Sequence, residues 1–391
     1  MDIDARIKRR QRRDTGPRIV ENYDALSPVA HTDEPSNRGP AFERLLDILD
    51  PVFDGTLPPN AYVHGPPGSG KSAIVISLFS HLQQLSTETR SVIHTSTRAA
   101  SPTAPGFVYV DLRMTTSEFA FYREILDALV EDPVPEHGVS TGDLRSRIHE
   151  VLADSRTGVV VAIDHVGEPD TTDTETLVDL LAGLPSKVSW LAIGRETPEA
   201  VPLTEYTATS VRINRYQRQM LVDVLMTRAS EGLTRGALDH DLVRDIAEWA
   251  DGNAHDALAA LFVAADTARA ASRTRLTDED VATAFAEIPC PSVSLGRVLA
   301  LPANKQLVLR ELVDLDETDR QSVTATTEAI SSRPSVDLTR GTVKRFLYEM
   351  AEVGVVERVQ STDHDGKGRP PSRVELRFPP TAFRRLYDLR Q

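Results

Sequence analysis

Eight consecutive residues, Gly65-Pro66-Pro67-Gly68-Ser69-Gly70-Lys71-Ser72, meet the GxxxxGK[S/T] spacing of a phosphate-binding loop at every required position. Each residue type has a chemical reason. Glycines let successive backbone N–H groups turn inward around a phosphate, and a helix starting at the loop adds the positive end of its dipole. The Lys71 ammonium is placed to reach β- and γ-phosphates, and the Ser72 hydroxyl to ligate Mg²⁺. A second signal follows downstream. Val159-Val160-Val161-Ala162-Ile163 reads as a buried strand ending in Asp164, an acid placed to hold the same Mg²⁺.

Strands and helices must bring these groups together. Ala61-Tyr62-Val63-His64 reads as the strand entering the loop and Ala73 to Leu85 as the helix leaving it. Gly106 to Leu112, Val159 to Asp164 and Val188 to Ile193 read as further strands, alternating with helices over Glu118 to Val130 and Asp143 to Asp154. Such alternation predicts an α/β fold with a parallel sheet covered on both faces. From Tyr216 the strand signals stop, and residues 217–230, 240–251, 254–271 and 277–287 read as a small all-α domain, closed by Pro289 and Pro291.

The last stretch differs again. Asn304 to Val313 and Thr324 to Ser331 read as helices. Thr339 caps a third, with Val343, Phe346, Leu347 and Met350 on its buried face and Gly354 ending it. Val355 to Gln360 and Val374 to Phe378 alternate like two hairpin strands. Three helices and a hairpin predict a winged helix-turn-helix. Its third helix leaves Arg340, Lys344, Arg345 and Tyr348 facing outward, types that contact phosphates and base edges. The tip between the strands carries Lys367, Arg369 and Arg373 among glycines and prolines, a composition suited to a minor groove.

Composition sets limits. A chain of 391 residues predicts two or three domains. The single cysteine, Cys290, excludes an internal disulfide or a cysteine-based zinc site and points to a reducing cytoplasm. No signal peptide precedes the charged start, and no apolar run is long enough to span a bilayer. The net charge is −14, and lysine supplies 6 of the 44 basic residues, which suits a cytoplasm of high salt. Residues 297–391 carry 16 basic and 14 acidic residues, or +2, leaving −16 for the rest. Residues 1–20, with 7 basic and 3 acidic residues, read as a mobile tail.

With these motifs the chain resembles the archaeal and eukaryotic origin-recognition/cell-division-control initiator family, AAA+ proteins that bind replication origins. The resemblance runs nearly the whole length. It rests on Glu21-Asn22-Tyr23 with Ser27-Pro28, the phosphate loop, Val110-Asp111-Leu112-Arg113, Asp164, Ile213-Asn214-Arg215-Tyr216, the run Asp251-Gly252-Asn253-Ala254-His255-Asp256-Ala257-Leu258, and the C-terminal pattern. It implies a basic tail at 1–20, an AAA+ nucleotide-binding base at 21–213, an α-helical lid at 214–292 and a winged helix at 293–391. It also implies ATP/ADP and Mg²⁺ as cofactors, with Tyr216 joining the loop and Asp164 at the nucleotide. Double-stranded origin DNA, a replicative helicase or other initiator subunits would be the partners.

The departures from the family pattern are informative. Where members place a glutamate after the Mg²⁺-binding Asp, this chain has His165. Glu168, three residues on, is the candidate to substitute as the catalytic base, with a surface turn residue as the expected role. The strand Val188 to Ile193 runs into Gly194-Arg195-Glu196 where a polar sensor is usual. His255 stands where the lid supplies an arginine, and Arg212 is a poor candidate for an interfacial arginine finger. Without those parts, hydrolysis should be weak or absent and ATP should act as a conformational switch. An active ATPase that loads a helicase, and a transcriptional or mobile-element regulator of the same architecture, remain the alternatives.

Overall fold

The computed structural model describes residues 18–32, 38–93, 105–154, 158–360 and 372–391. The described chain opens with α1 (Tyr23–Leu26) and α2 (Gly39–Leu49). It then runs through β1 (Ala61–His64), α3 (Lys71–Ile93), β2 (Gly106–Asp111), α4 (Glu118–Leu129), α5 (Thr141–Asp154), β3 (Val159–Val166), α6 (Thr174–Ala182), β4 (Val188–Gly194) and β5 (Thr209–Arg212). Among the described residues these strands form one parallel sheet in the order β2-β3-β4-β1-β5.

The two-residue period of a strand sorts its side chains onto two faces. Val160 and Ala162 join Val63, Leu191 and Ile193 on one face, under Ile74, Val75 and Leu78 of α3 and Leu45 and Leu49 of α2. Val159, Val161 and Ile163 join Val108 and Val110 on the other, under Phe121 of α4, Ile148 of α5 and Leu177 of α6. A sheet covered on both faces needs strands apolar throughout, and β3 is buried along nearly its whole length. The order β3-β4-β1 also sets three carboxyl ends side by side. The segments leaving them carry Asp164, Arg195 and the phosphate loop.

Next come α7 (Arg218–Gly232), α8 (His240–Trp249), α9 (Ala254–Ala270) and α10 (Asp278–Glu287). Helix α9 is apolar all round, with Ala257 through Ala265 buried, so it must be the centre of its bundle. Beyond it lie α11 (Leu295–Val298), α12 (Ala303–Val313), α13 (Val323–Ser331), α14 (Arg340–Glu352), the antiparallel pair β6 (Val356–Gln360) and β7 (Ser372–Leu376), and α15 (Pro380–Arg390).

One continuous apolar core runs from Ile19 through the four-helix bundle to Leu386 of α15. Asp266 of α9 accepts hydrogen bonds from Tyr23 and from Arg385 of α15, and Glu287 of α10 accepts the Thr381 N–H at the start of α15. Residues 1–17 of the expected tail lie outside the described residues. Its end is docked: Ile19 and Val20 are buried, and Ile19 O accepts the Thr234 N–H.

Five elements were not anticipated, among them the four-residue α11 at the start of the C-terminal unit. α1 is a single four-residue turn, capped by the Asn22 side chain, too short to show a period. β5 is four residues with only Val211 buried, too short to show a period. α6 follows a loop-like acidic segment, although Leu177, Leu180 and Leu181 carry the helical spacing. α15 begins at Pro380, where a proline is tolerated in a first helical turn.

Candidate functional site

The loop between β1 and α3 closes tightly on neighbours that admit glycine alone. A Cβ on Gly70 (φ +82) would lie 2.6 Å from the Tyr216 hydroxyl, and one on Gly68 (φ +65) would overlap the Asn253 side chain. The Lys71 ammonium donates to Gly65 O at 2.8 Å and Pro66 O at 2.9 Å, and its nearest side-chain oxygen is Ser69 Oγ at 3.4 Å. Burial pushes this lysine down to about 8, with Asp164 opposing the shift. Ser72 lies beside it on the first turn of α3, and Pro66 and Pro67 form the outer side of the loop. Arg38 braces the arrangement. It donates to Ser69 O and Asn214 O, and its guanidinium sits 3.5 Å from the centre of the Tyr216 ring. Nothing in the sequence marked Arg38.

At the end of β3, Asp164 is 2% exposed and accepts the Tyr109 hydroxyl at 2.6 Å and the His165 N–H at 2.7 Å. His165 takes a left-handed backbone (φ +67). That turn brings Glu168 back toward the acid instead of out to solvent. Glu168 is 8% exposed, so the expectation of a surface turn residue is corrected. Its Oε1 lies 3.0 Å from His165 Nδ1 and 2.8 Å from Arg195 Nη2. Burial alone would raise this carboxyl, but the hydrogen bond and charge of His165, with Arg195 and Arg113, bring it to about 2. His165 Nε2 is 3.7 Å from Asp164 Oδ2 and 4.0 Å from Asp111 Oδ1. It is therefore not an inert surface histidine. Asp111 in turn holds Arg113 through two oxygens.

The lid closes the third side. Asn253 caps α9, accepting the His255 and Asp256 N–H groups, and the Ala254 N–H donates to Gly68 O at 3.0 Å. His255 lines the same cleft but is tied to the start of the C-terminal unit. Its Nε2 accepts the Leu295 N–H at 3.0 Å, so the proton sits on Nδ1 and is directed at Asp256 Oδ1, 3.1 Å away. Both ring nitrogens of His255 are thus already engaged. The cleft is about 980 Å³, open on one side, and is lined by the loop, Asp164, Arg195, Tyr216 and the segment Pro28 to Thr32. Arg228 shapes its far end by donating to Ser27 O and Ala30 O. Arg212 ends β5 next to β1, away from this cleft, where it helps hold the buried His64 below its ordinary range after burial itself.

On α14, Arg340, Lys344 and Arg345 are exposed and Tyr348 is half-buried. Arg340 pairs with Glu328 at 2.8 Å and Arg345 with Glu349 at 3.7 Å. Lys344 Nζ lies 5.9 Å and the Arg358 guanidinium 4.4 Å from the centre of the Tyr348 ring. Arg373, on β7, pairs with Glu375 at 2.6 Å. Lys367 and Arg369 lie outside the described residues.

These features agree with what the chain is similar to. Residues 36–193 match the family described as the AAA ATPase domain, and residues 222–286 the Cdc6 AAA+ ATPase-type lid domain. The ORC1-type DNA replication protein 1 of Aeropyrum pernix is 26% identical over 368 residues, covering 89% of this chain and 90% of that protein. The ORC1-type DNA replication protein 3 of Haloarcula marismortui is 23% identical over 351 residues, covering 85% and 87%. Among solved structures, the Aeropyrum pernix Orc1 protein in complex with DNA superposes with a TM-score of 0.61 at 23% identity, covering 95% of this chain and 97% of that one. The ADP form of the Aeropyrum pernix ORC2 protein gives 0.55 at 16%, covering 95% and 98%. Among the described residues, no helix is long and apolar enough to cross a membrane. A phosphate loop on a parallel sheet, closed by a lid of the Cdc6 type, makes this chain a member of the Orc1/Cdc6-type AAA+ ATPases.

Proposed function

We propose that this protein binds ATP and recognises DNA in the manner of a replication initiator, with ATP as a conformational switch that is hydrolysed slowly or not at all. One observation carries the reading. Within three residues, Asn253 and Ala254 touch Gly68 of the phosphate loop and His255 holds the first N–H of α11, where the C-terminal unit begins. What occupies the loop therefore bears on how the C-terminal unit is held.

The residues present fit a nucleotide. A buried ammonium whose hydrogen-bond partners among the described residues are loop oxygens, at a helix N-terminus, is suited to an anion. The backbone N–H groups of Gly68 to Ser72 and the Lys71 ammonium would hold phosphates, Ser72 and Asp164 would hold Mg²⁺, and Tyr216, under Arg38, would back the loop. Bound Mg²⁺–ATP supplies an electrophilic γ-phosphate. Turnover then needs a proton acceptor for water, and a carboxyl held near 2 is a weak base at neutral pH. Glu168 is further tied to Arg195, and His165 is tied to Glu168.

DNA is assigned to the C-terminal unit, residues 293–391, taken as a winged helix-turn-helix beyond the base at 21–213 and the lid at 214–292. Support comes from the helix–helix–helix–hairpin order and from the relative solved with DNA. Arg340, Lys344, Arg345 and Tyr348 would face the groove, with Lys367, Arg369 and Arg373 on the wing. Replication-origin DNA is the substrate proposed, by likeness to relatives named DNA replication proteins.

Calorimetry and phosphate release test the reading together. Lys71→Ala should lose most ATP and ADP affinity, and the wild type should bind ATP with phosphate release near background. Turnover on the order of 1 per second or faster would place the protein among working ATPases and remove the switch-without-turnover reading.

A further inference from the structure

The C-terminal unit supplies part of the wall of the cleft. Pro291, Ser292, Ser294 and Gly296 line it together with the phosphate loop and Asp164. Three consecutive residues of this strap are each held by a different element around the cleft. The Leu295 N–H donates to His255 Nε2 of the lid at 3.0 Å. Gly296 packs on Arg113, which follows β2, so closely that a Cβ there would lie 2.7 Å from Arg113 Nη1. The Arg297 guanidinium lies 3.7 Å from Asp170, in the turn after β3. None of the three is strong. The first is one hydrogen bond to an uncharged nitrogen, the second a packing contact, and the third an ion pair whose acid side chain is 43% exposed. The opposite side of the strap is tied to the elements assigned to DNA. The Val293 N–H donates to Arg377 O, just beyond β7, at 2.6 Å, and Arg377 Nη2 donates to Pro291 O at 3.3 Å. Arg297 donates to Val353 O at the end of α14. A displacement of α14 or of the hairpin is therefore applied to the strap itself, against three weak contacts on the cleft side.

We propose that residues 291–297 gate the cleft and that DNA opens the gate: double-stranded DNA bound at α14 and the hairpin draws the strap off His255, Arg113 and Asp170 and speeds the exchange of ADP for ATP. DNA is then a nucleotide-exchange factor for this chain as well as its binding target. The proposal rests on the nucleotide reading of the cleft and on the DNA reading of the C-terminal unit. A gate has a kinetic signature. Ligand enters and leaves through the same opening, so freeing the strap raises association and dissociation together and leaves affinity nearly unchanged. A wall that served only to bind nucleotide would behave otherwise. Loosening it would raise dissociation alone and lower affinity in proportion.

The test is stopped-flow fluorescence with N-methylanthraniloyl-ADP and Mg²⁺ on the full chain. Association and displacement by excess ADP would be followed alone and with a saturating double-stranded fragment recovered by mapping the protein's own binding sites. Asp170→Ala removes the exposed pair and should raise both rates about two- to fivefold. Gly296→Leu sets a side chain against Arg113, which Asp111 holds through two oxygens, so the strap has to yield. Both rates should then rise about tenfold, with affinity kept within about threefold. Asp239→Ala, at an exposed pair of the lid, should leave both rates within about twofold of wild type. DNA should raise the wild-type rates about tenfold and add little to Gly296→Leu. The proposal is overturned if Asp170→Ala and Gly296→Leu keep wild-type rates, if their dissociation rises alone, if Asp239→Ala accelerates as much as they do, or if bound DNA leaves the wild-type rates unchanged. Those results leave the nucleotide reading standing. A wild type that does not bind the labelled ADP removes that reading, and one that binds no DNA removes the DNA reading; the proposal falls with either.

Discussion

His165 stands where the family pattern calls for a carboxylate, and the structure shows which carboxylate lies beside it. The left-handed turn at His165 folds the chain so that Glu168 returns to within hydrogen-bond reach of the imidazole. The substitution at 165 was legible in the sequence. The destination of Glu168 was not, because it depends on backbone sign at one residue and on Arg195, which arrives from a strand distant in sequence. The electrostatics of this carboxyl give a stability test. Its folded-state pKa of about 2 lies below the ordinary 4.5. The ion pair therefore stabilises fully above the unfolded value, and the contribution is lost as pH falls from about 4.5 toward 2. In urea unfolding, Glu168→Gln should be less stable than wild type by about 1–3 kcal/mol near pH 7. The gap should narrow as the pH is lowered below 4.5. A gap constant with pH would mean that packing, not charge, holds Glu168.

Among the elements, α9 has the most to hold in place. Its unbroken apolar run was readable as a buried helix, whereas the role of Asp266 on it was not, since a lone acid in such a run gives no hint of its partners. Asp266 is 3% exposed and receives Tyr23 from the lead-in, Arg269 from its own helix and Arg385 from α15. Burial, then Asp266, keeps the Tyr23 hydroxyl protonated well above its ordinary range. Because α15 could not be foreseen, neither could this three-way junction, and the lid and the C-terminal unit appeared in sequence as separate domains. Removing one member of a buried charge network leaves the others unpaired, so Asp266→Ala should cost about 3–5 kcal/mol of unfolding free energy. Asp239→Ala, which breaks the exposed Arg275 pair, should cost less than about 1 kcal/mol. Equal costs in thermal or denaturant unfolding would deny Asp266 its junction role.

For the molecule as a whole, charge and connection point the same way. The net charge is −14, yet residues 297–391 carry 16 basic against 14 acidic residues, so a polyanion is repelled less there than by the acidic stretch between the basic first 20 residues and residue 297. Several arginines of that surface already hold glutamates and must exchange them for phosphates, which favours a few well-placed contacts over a broad ionic one. Arg297 joins the two ends. It is 9% exposed, donates to Val353 O at the end of α14, and lies 3.7 Å from Asp170, in the turn that also carries His165 and Glu168. Burial lowers its pKa, which leaves the guanidinium dependent on those two partners. The measurement that bears most directly on the nucleotide switch is affinity for a DNA fragment recovered by mapping the protein's own binding sites. Fluorescence anisotropy would follow wild type, Arg297→Ala and the triple variant Arg345→Ala, Arg369→Ala, Arg373→Ala, each with Mg²⁺–ATP and with Mg²⁺–ADP. Wild-type affinity should differ several-fold between the two nucleotides, Arg297→Ala should erase the difference, and the triple variant should bind at least about tenfold more weakly with either nucleotide. Equal wild-type affinity with ATP and ADP would contradict the switch.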